Sequence, residues 1–232
     1  MTAPTKPVRK RGKNYTAKAA LIEKDHYSVA EATELLTKIS TTKFDATAEV
    51  HIRIGADTTQ ADQLVRTIVT LPHGTGRSVR IAAFVPDDKI EAAKKSGADR
   101  AGNADLIKEI EAGKIDFDVA VADPSVMKDL GKVAKTLGQK GLMPNPKAGT
   151  VTPNIAKAIE ELKKGRIECK MDKDGIIHTV FGKISFGAKK LEENLGALLQ
   201  AVQDAQPSGI KSAYILSITV VPSMGPGIRV KL

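Results

Sequence analysis

Chemistry in this 232-residue chain would have to come from four histidines, one cysteine, a lysine-flanked glycine-rich loop and a few hydroxyl-bearing turns. His26, His51, His73 and His178 lie far apart in sequence, without the i, i+4 spacing that sets two imidazoles on one helix face for a metal. The single Cys169 can build neither an internal disulfide framework nor a thiolate metal cluster. It follows Glu168 in a strand-like segment and reads as a small filler. No Gly-x-Ser-x-Gly elbow offers an acyl-transfer nucleophile. The loop from Leu137 to Val151, LGQKGLMPNPKAGTV, holds three Gly, two Pro and an Asn, so it can be neither regular helix nor strand. Lys140 and Lys147 flank it, but a phosphate-cradling P-loop needs Gly-Lys-Ser/Thr, which is missing. The apolar Leu142 and Met143 point to a packed loop. No enzyme activity, cofactor, metal or small-molecule substrate is expected from these residues.

A binding chemistry fits better. The formal net charge is +9, which calls for a polyanionic partner. Aromatic residues make up 3% of the chain and Trp is absent, so a platform of several stacked bases is not expected. Folded RNA is instead read by shape, phosphates, 2′-hydroxyls and a few splayed bases. Three stretches offer suitable groups. The first carries Lys43, Thr47 and Glu49. The second carries Lys170, Lys173, His178, Lys183 and Ser185. The third is the turn Ser223-Met224-Gly225, with a hydroxyl, a flexible apolar side chain and an open backbone. By residue type alone, Phe44 and Met224 would go to a core, and the lysines could be solvated surface charge.

The elements that must hold these groups follow from periodicity. Tyr15–Glu23 reads as a helix. Ser28 with Glu31 forms a capping box for a second, with Val29, Ala32, Leu35, Leu36 and Ile39 at helical spacing. From Phe44 to Gly55 apolar and polar residues alternate, giving a strand with one polar face. A further extended segment runs near Val65–Leu71. Val79–Val85 and Phe117–Ala122 are continuous apolar runs, as in strands covered on both faces. Between and after them Pro86–Gly97, Ala104–Ala112, Pro124–Thr136 and Pro153–Lys164 read as helices. Ile167–Met171 and Ile176–Ser185 flank the turn Asp172-Lys173-Asp174-Gly175, a hairpin signal. Lys189–Asp204 is an amphipathic helix. Tyr214–Val221 alternates again, with Tyr214, Leu216, Ile218 and Val220 sharing one face, and a basic tail with Arg229 and Lys231 ends the chain.

The middle is thus α/β and the two ends are α+β. The expected architecture has two domains: a split α+β domain made of residues 1–73 and 165–232, and an inserted Rossmann-like α/β domain of residues 74–164. Breaks at Pro72, Gly74, Gly76 and Gly165 would serve as the hinge. Residues 74–163 hold 15 Lys and Arg against 13 Asp and Glu, whereas the remainder holds 21 against 14, so the polyanion face is expected on the split part. The insert suits no dinucleotide. Its first two strand-to-helix turns, Pro86-Asp87-Asp88 and Asp123-Pro124-Ser125, put carboxylates where a pyrophosphate would need amides. Residues 1–14 form a basic arm without an apolar segment, so no secretory signal is expected. No apolar run is long enough to span a membrane, and a cytoplasmic location is expected.

Several of these stretches together resemble one family. The 137–151 loop, Lys43-Phe44-Asp45 with Glu49-Val50-His51, Leu71-Pro72-His73-Gly74, Gly165-Arg166-Ile167-Glu168 and Met224-Gly225-Pro226 are similar, in order and spacing, to the bacterial large-subunit ribosomal protein L1 (uL1) family. The resemblance covers all but the first dozen residues. It implies binding to the mobile stalk of large-subunit ribosomal RNA, action on exit-site tRNA, and repression of the protein's own operon mRNA as a translational regulator. It implies a monomer away from the ribosome, and RNA contacts at Phe44, Thr47, Ser223, Met224 and Gly225. The family usually carries Thr where this chain has Ser223, so a methyl is lost and the hydroxyl kept, with Pro222 stiffening the turn. An RNA-binding regulator acting off the ribosome is the alternative, and a nucleotide-dependent α/β enzyme a more distant one.

Overall fold

The structure is a computed structural model that describes residues 11–60, 62–207, 209–210 and 213–231, with the side chain of Lys147 outside that description. Most of the basic N-terminal arm therefore lies outside the described residues. In chain order the elements begin with α1 (Lys13–Ala19), α2 (Val29–Ile39), β1 (Thr47–Ile54), β2 (Arg66–Thr70), β3 (Ile81–Phe84) and α3 (Ile90–Lys95). They continue with β4 (Arg100–Gly102), α4 (Ala104–Glu111), β5 (Val119–Ala122), α5 (Met127–Leu130), α6 (Ala134–Gln139) and α7 (Ile155–Lys163). The last are β6 (Arg166–Lys170), β7 (Ile176–Lys183), α8 (Ala188–Asp204), β8 (Ile215–Pro222) and β9 (Ile228–Val230).

The alternation in β1 decides where the chain ends go. Its even-numbered residues Ala48, Val50, Ile52 and Ile54 are buried, and its odd-numbered residues face outward. It sits second in a four-stranded sheet of order β7-β1-β8-β9, antiparallel throughout. An N-terminal strand is thus enclosed by C-terminal ones. A separate antiparallel pair, β2 with β6, joins the two ends again. The inner face of the large sheet is covered by α2 and α8, whose Leu36, Ile39, Leu191, Leu195 and Leu198 share one buried cluster with Ile52, Ile177 and Phe181. The Ser28 capping box is present and fixes the start of α2.

The middle of the chain makes a parallel sheet of order β4-β3-β5, extended by a parallel bridge from Val151 to Ala122. All of β3 is buried, since each face carries helices. One face packs Phe84, Leu106, Ile110, Leu130 and Leu137, the other Ile81, Val85, Val121, Ile155 and Ile159. The fold is mixed α/β.

The two crossings between these regions touch each other. Gly74 (φ 66°) and Gly165 (φ 94°) both adopt left-handed backbone, and a Cβ on Gly165 would overlap Gly74 Cα. Asn194 of α8, fully buried, holds this crossing. Its Oδ1 accepts from the His73 N–H at 3.0 Å, and its Nδ2 donates to Gly74 O at 3.0 Å and to Phe181 O at 2.8 Å.

Several expectations need correction. The segments flanking Asp172–Gly175 do not form a hairpin ladder: beyond one bridge from Met171 to Ile177 they separate, β6 to β2 and β7 to β1. The turn itself is as expected, with Gly175 at φ 76°. The stretch 124–136 is not one helix but alternates α and 3-10 turns, broken near Gly131. Leu216 leaves the buried face because β8 carries a bulge: Arg53 pairs with Ser217 and Ile54 with Ile215, so Leu216 is left over and exposed. The first helix starts and ends earlier, at Lys13 and Ala19, and β1 starts at Thr47 rather than Phe44. The tail residue Arg229 belongs to strand β9, and β4 adds a strand that three residues were too few to signal.

Candidate nucleic-acid interface

At the Thr47 end of β1 three separate stretches are locked together. The Ser223 N–H donates to Thr47 O at 2.9 Å, and the Thr47 N–H donates to Ser223 Oγ at 3.2 Å. The Ser223 hydroxyl also reaches Glu49 Oε1 at 3.3 Å. From the other side Lys183 at the end of β7 donates through Nζ to Thr47 Oγ1 at 2.9 Å. Asp45 then ties in Ser185, accepting from its N–H at 3.1 Å and its hydroxyl at 2.8 Å. One backbone bond, from Ser223 to Thr47, and side-chain bonds through Ser223, Lys183 and Asp45 together fix this corner.

The turn after β8 is the strained part of the corner. The Gly225 N–H donates to Pro222 O at 2.8 Å, closing a four-residue turn. Met224 sits at its third position with φ 63°, the one non-glycine residue with positive φ among the described residues. Position i+2 of a type II turn normally goes to Gly or Asn, and holding another residue there costs about 1–2 kcal/mol. The Met224 side chain gains no core burial in return, since it is 78% exposed. A Cβ on Gly225 would come within 2.5 Å of Pro222 Cγ, so this position excludes larger residues while the turn keeps its shape. Phe44, three residues before Thr47, is 59% exposed. Two large apolar side chains therefore stand in solvent at one corner, beside exposed Lys43. Core packing, the assignment their residue types favour, does not describe either.

Not every candidate lies at this corner. Phe44, Thr47, Glu49, Ser185, Ser223, Met224 and Gly225 gather there with Lys43 next in sequence. His178 pairs across the sheet with His51, four residues up β1, or about 13 Å from Thr47 at ~3.3 Å per residue. The two rings meet edge-on with their Nδ1 atoms 2.7 Å apart, and His178 Nε2 lies 3.1 Å from Asp172 Oδ2. Burial, then the neighbouring His178, holds His51 below the ordinary imidazole value, with Glu49 opposing. Lys170 is exposed on β6, opposite Arg66 in the small sheet and outside the large one. Gly74 and Gly165, expected as hinge positions, meet at the crossing described above, and Gly76 also has positive φ, at 70°.

Sequence reasoning missed four residues. Asp45 was visible only as part of a motif, although its carboxylate organises Ser185. Asn194 gave no signal beyond being a polar residue on the apolar stripe of α8. Arg53 and Arg229 seemed unrelated until the register placed them on one face.

The parallel sheet offers a different chemistry. Asp123, buried at the end of β5, accepts from Lys89 Nζ at 2.8 Å, the Ser125 N–H at 3.0 Å and the Ser125 hydroxyl at 2.9 Å. These bonds, led by that from Lys89, hold its pKa down to about 2. The carboxylate caps the following turn from inside, where a phosphate would have to sit. In the 137–151 loop, Leu142 and Met143 pack against the buried cluster around Phe84 and line a cleft with Ile68, Ile167 and Val180. Cys169 is buried, and desolvation pushes its thiol up to about 11. Among the described residues no group of three or more metal-ligating side chains converges, and no helix is long and apolar enough to cross a membrane.

Comparison with known proteins bears on the same chain. The family model described as "Ribosomal protein L1p/L10e family" matches residues 36–226. A protein of Chloroflexus aggregans named large ribosomal subunit protein uL1 is 48% identical over 227 residues, 96% of both chains. Its namesake in Chloroflexus aurantiacus is 47% identical over 225 residues, 95% of both chains. The protein of that name in Protochlamydia amoebophila is 44% identical over 232 residues, all of this chain and 96% of its own.

Proposed function

The chain belongs to the ribosomal protein L1 family, and from that premise we propose that it is a structural protein of the large ribosomal subunit, binding the mobile stalk of that subunit's RNA. It is not an enzyme; its relatives are named as ribosomal proteins. Its place is the ribosome. Residues 1–73 and 165–232 form the RNA-holding domain, and 74–164 form a second domain that swings about the Gly74–Gly165 crossing toward other stalk RNA or the departing exit-site tRNA. A messenger segment from its own operon, shaped like the stalk, competes for the same face and gives translational repression. Off the ribosome the protein is a monomer.

One observation carries this reading: the left-handed, exposed Met224 in a turn bonded onto Thr47. A strained backbone conformation presenting an apolar side chain to solvent stabilises nothing in the fold, and strain of this kind gathers at binding sites. Met224 and Phe44 offer apolar surfaces for a ribose or an unstacked base. Ser223, Thr47, Ser185 and the Gly225 backbone offer hydrogen-bonding groups, Glu49 orients the Ser223 hydroxyl, and Lys43 meets phosphate. Lys170 and His178 take a more distant part of the RNA. A protein made of residues 1–73 joined to 165–232 tests this. It should retain stalk-RNA binding in a filter assay, whereas binding by the isolated insert alone would refute the assignment.

A further inference from the structure

The outward face of the large sheet continues well past the Met224 corner, and its far end is basic. The register sets His51, Thr219 and Arg229 in one row across β1, β8 and β9, and Arg53 beside Ser217 in the next. Carried one residue further, the β8–β9 register brings Lys231 to the other side of Ser217. Each row is a hydroxyl between two nitrogen-bearing side chains. Arg53, Arg229 and Lys231 are exposed, and none has a carboxylate partner among the described residues. The nearest carboxylate up β1, Glu49, already accepts from Ser223. The bulge at Leu216 adds to the same end an exposed apolar side chain, in a shallow groove with His26, Arg229 and Lys231.

We propose that this end of the sheet, centred on Arg53 and Arg229 with Lys231 beside them, is a second phosphate-contact site for the same RNA that occupies the Met224 corner. The proposal rests on the RNA-binding reading above and extends it. Unpaired guanidiniums flanking hydroxyls suit a phosphodiester backbone, since the guanidinium matches phosphate geometry and the hydroxyl supplies a further donor. The face is continuous with the corner through Glu49 and His51 on a single strand. From Thr47 to Arg53 is six residues, about 20 Å at ~3.3 Å per residue. An RNA must therefore extend that far from the corner to feel the second site, and a short fragment seated at Met224 alone would not.

The test uses the full chain, the double variant Arg53→Gln/Arg229→Gln, and two fragments of large-subunit ribosomal RNA carrying the stalk, one complete and one trimmed to its central contact region. Binding is titrated from 0.1 to 1 M salt. Each lost phosphate contact removes about 0.7–0.9 from the slope of log K against log salt. The double variant should lose about 1.5 units on the complete fragment, binding roughly tenfold more weakly at 0.2 M and converging on wild type near 1 M. On the trimmed fragment it should match wild type. Lys43→Ala, at the corner itself, should lose about one unit on both fragments. An unchanged slope for the double variant, with wild type and Lys43→Ala behaving as stated, overturns the second site and leaves the corner standing. An equal loss on both fragments also overturns it. Failure of wild type to bind either fragment overturns the RNA reading and the second site together.

Discussion

Replacing Met224 by Ala separates a binding residue from a packing one. The side chain is 78% exposed, and an alanine Cβ meets the same steric demand at a φ of 63° as the methionine Cβ does. Folding stability should therefore move by less than about 0.5 kcal/mol, the range for surface substitutions. Binding should change far more. Burying a Met side chain in full is worth roughly 1.5–3 kcal/mol, and nearly four-fifths of this one is available to a partner. The expected loss is about 1–2 kcal/mol, or roughly 5–30-fold in affinity. No charge is removed, so the salt slope should stay the same. Urea melts report the first quantity, and filter binding to a stalk-RNA fragment at several salt concentrations reports the second and third. Met224→Gly adds a sign test. It relieves left-handed strain of about 1–2 kcal/mol, partly offset by added chain entropy, so stability should hold or rise while binding falls. A Met224→Ala protein that loses more than 1 kcal/mol of stability, or binds RNA within twofold of wild type, would refute the reasoning.

Other outcomes follow from the same geometry. Asn194→Leu should cost roughly 3 kcal/mol or more in a urea melt, because three backbone groups at the crossing lose a partner at about 1–3 kcal/mol each where burial keeps water out; a loss below 1 kcal/mol would remove Asn194 as the anchor. Asp123 has a folded pKa of about 2 against an ordinary 3.8, so its contribution to stability is present above pH 4 and is lost as pH falls toward 2; Asp123→Asn should flatten that part of the stability–pH curve. Cys169, buried with its thiol near 11, should resist alkylation at pH 8 in the native protein and react once the chain is unfolded in urea.

The sequence revealed most where a period was long. The alternation of β1 and the stripes of α2, α7 and α8 could be read directly, because each is set by a single repeating burial requirement. What it hid depended on pairing between distant residues. Nothing local told β6 to leave its neighbour β7 for β2, and the turn at Asp172–Gly175 reads the same in either case. Leu216 continues the apolar alternation of its strand, and only the bulge opposite Ile54 turns it outward. Phe44 and Met224 have core residue types, so only their neighbours in space separate exposure from burial. The corner was legible as motifs, but the hydrogen bonds that join Thr47 to Ser223 cross 176 residues of chain. Arg53 and Arg229 became one patch only when β8 was laid between β1 and β9.

The face built from both chain ends can be watched directly by titrating the isotope-labelled full chain with a stalk fragment of large-subunit ribosomal RNA and following backbone amide resonances. At the lowest RNA ratios, Phe44, Thr47, Ser223, Met224 and Gly225 should shift or broaden first, with Arg53 and Arg229 joining on a longer fragment. Perturbations confined to the 137–151 loop and the helices of the parallel sheet, with the Thr47–Ser223 corner unmoved, would contradict the account.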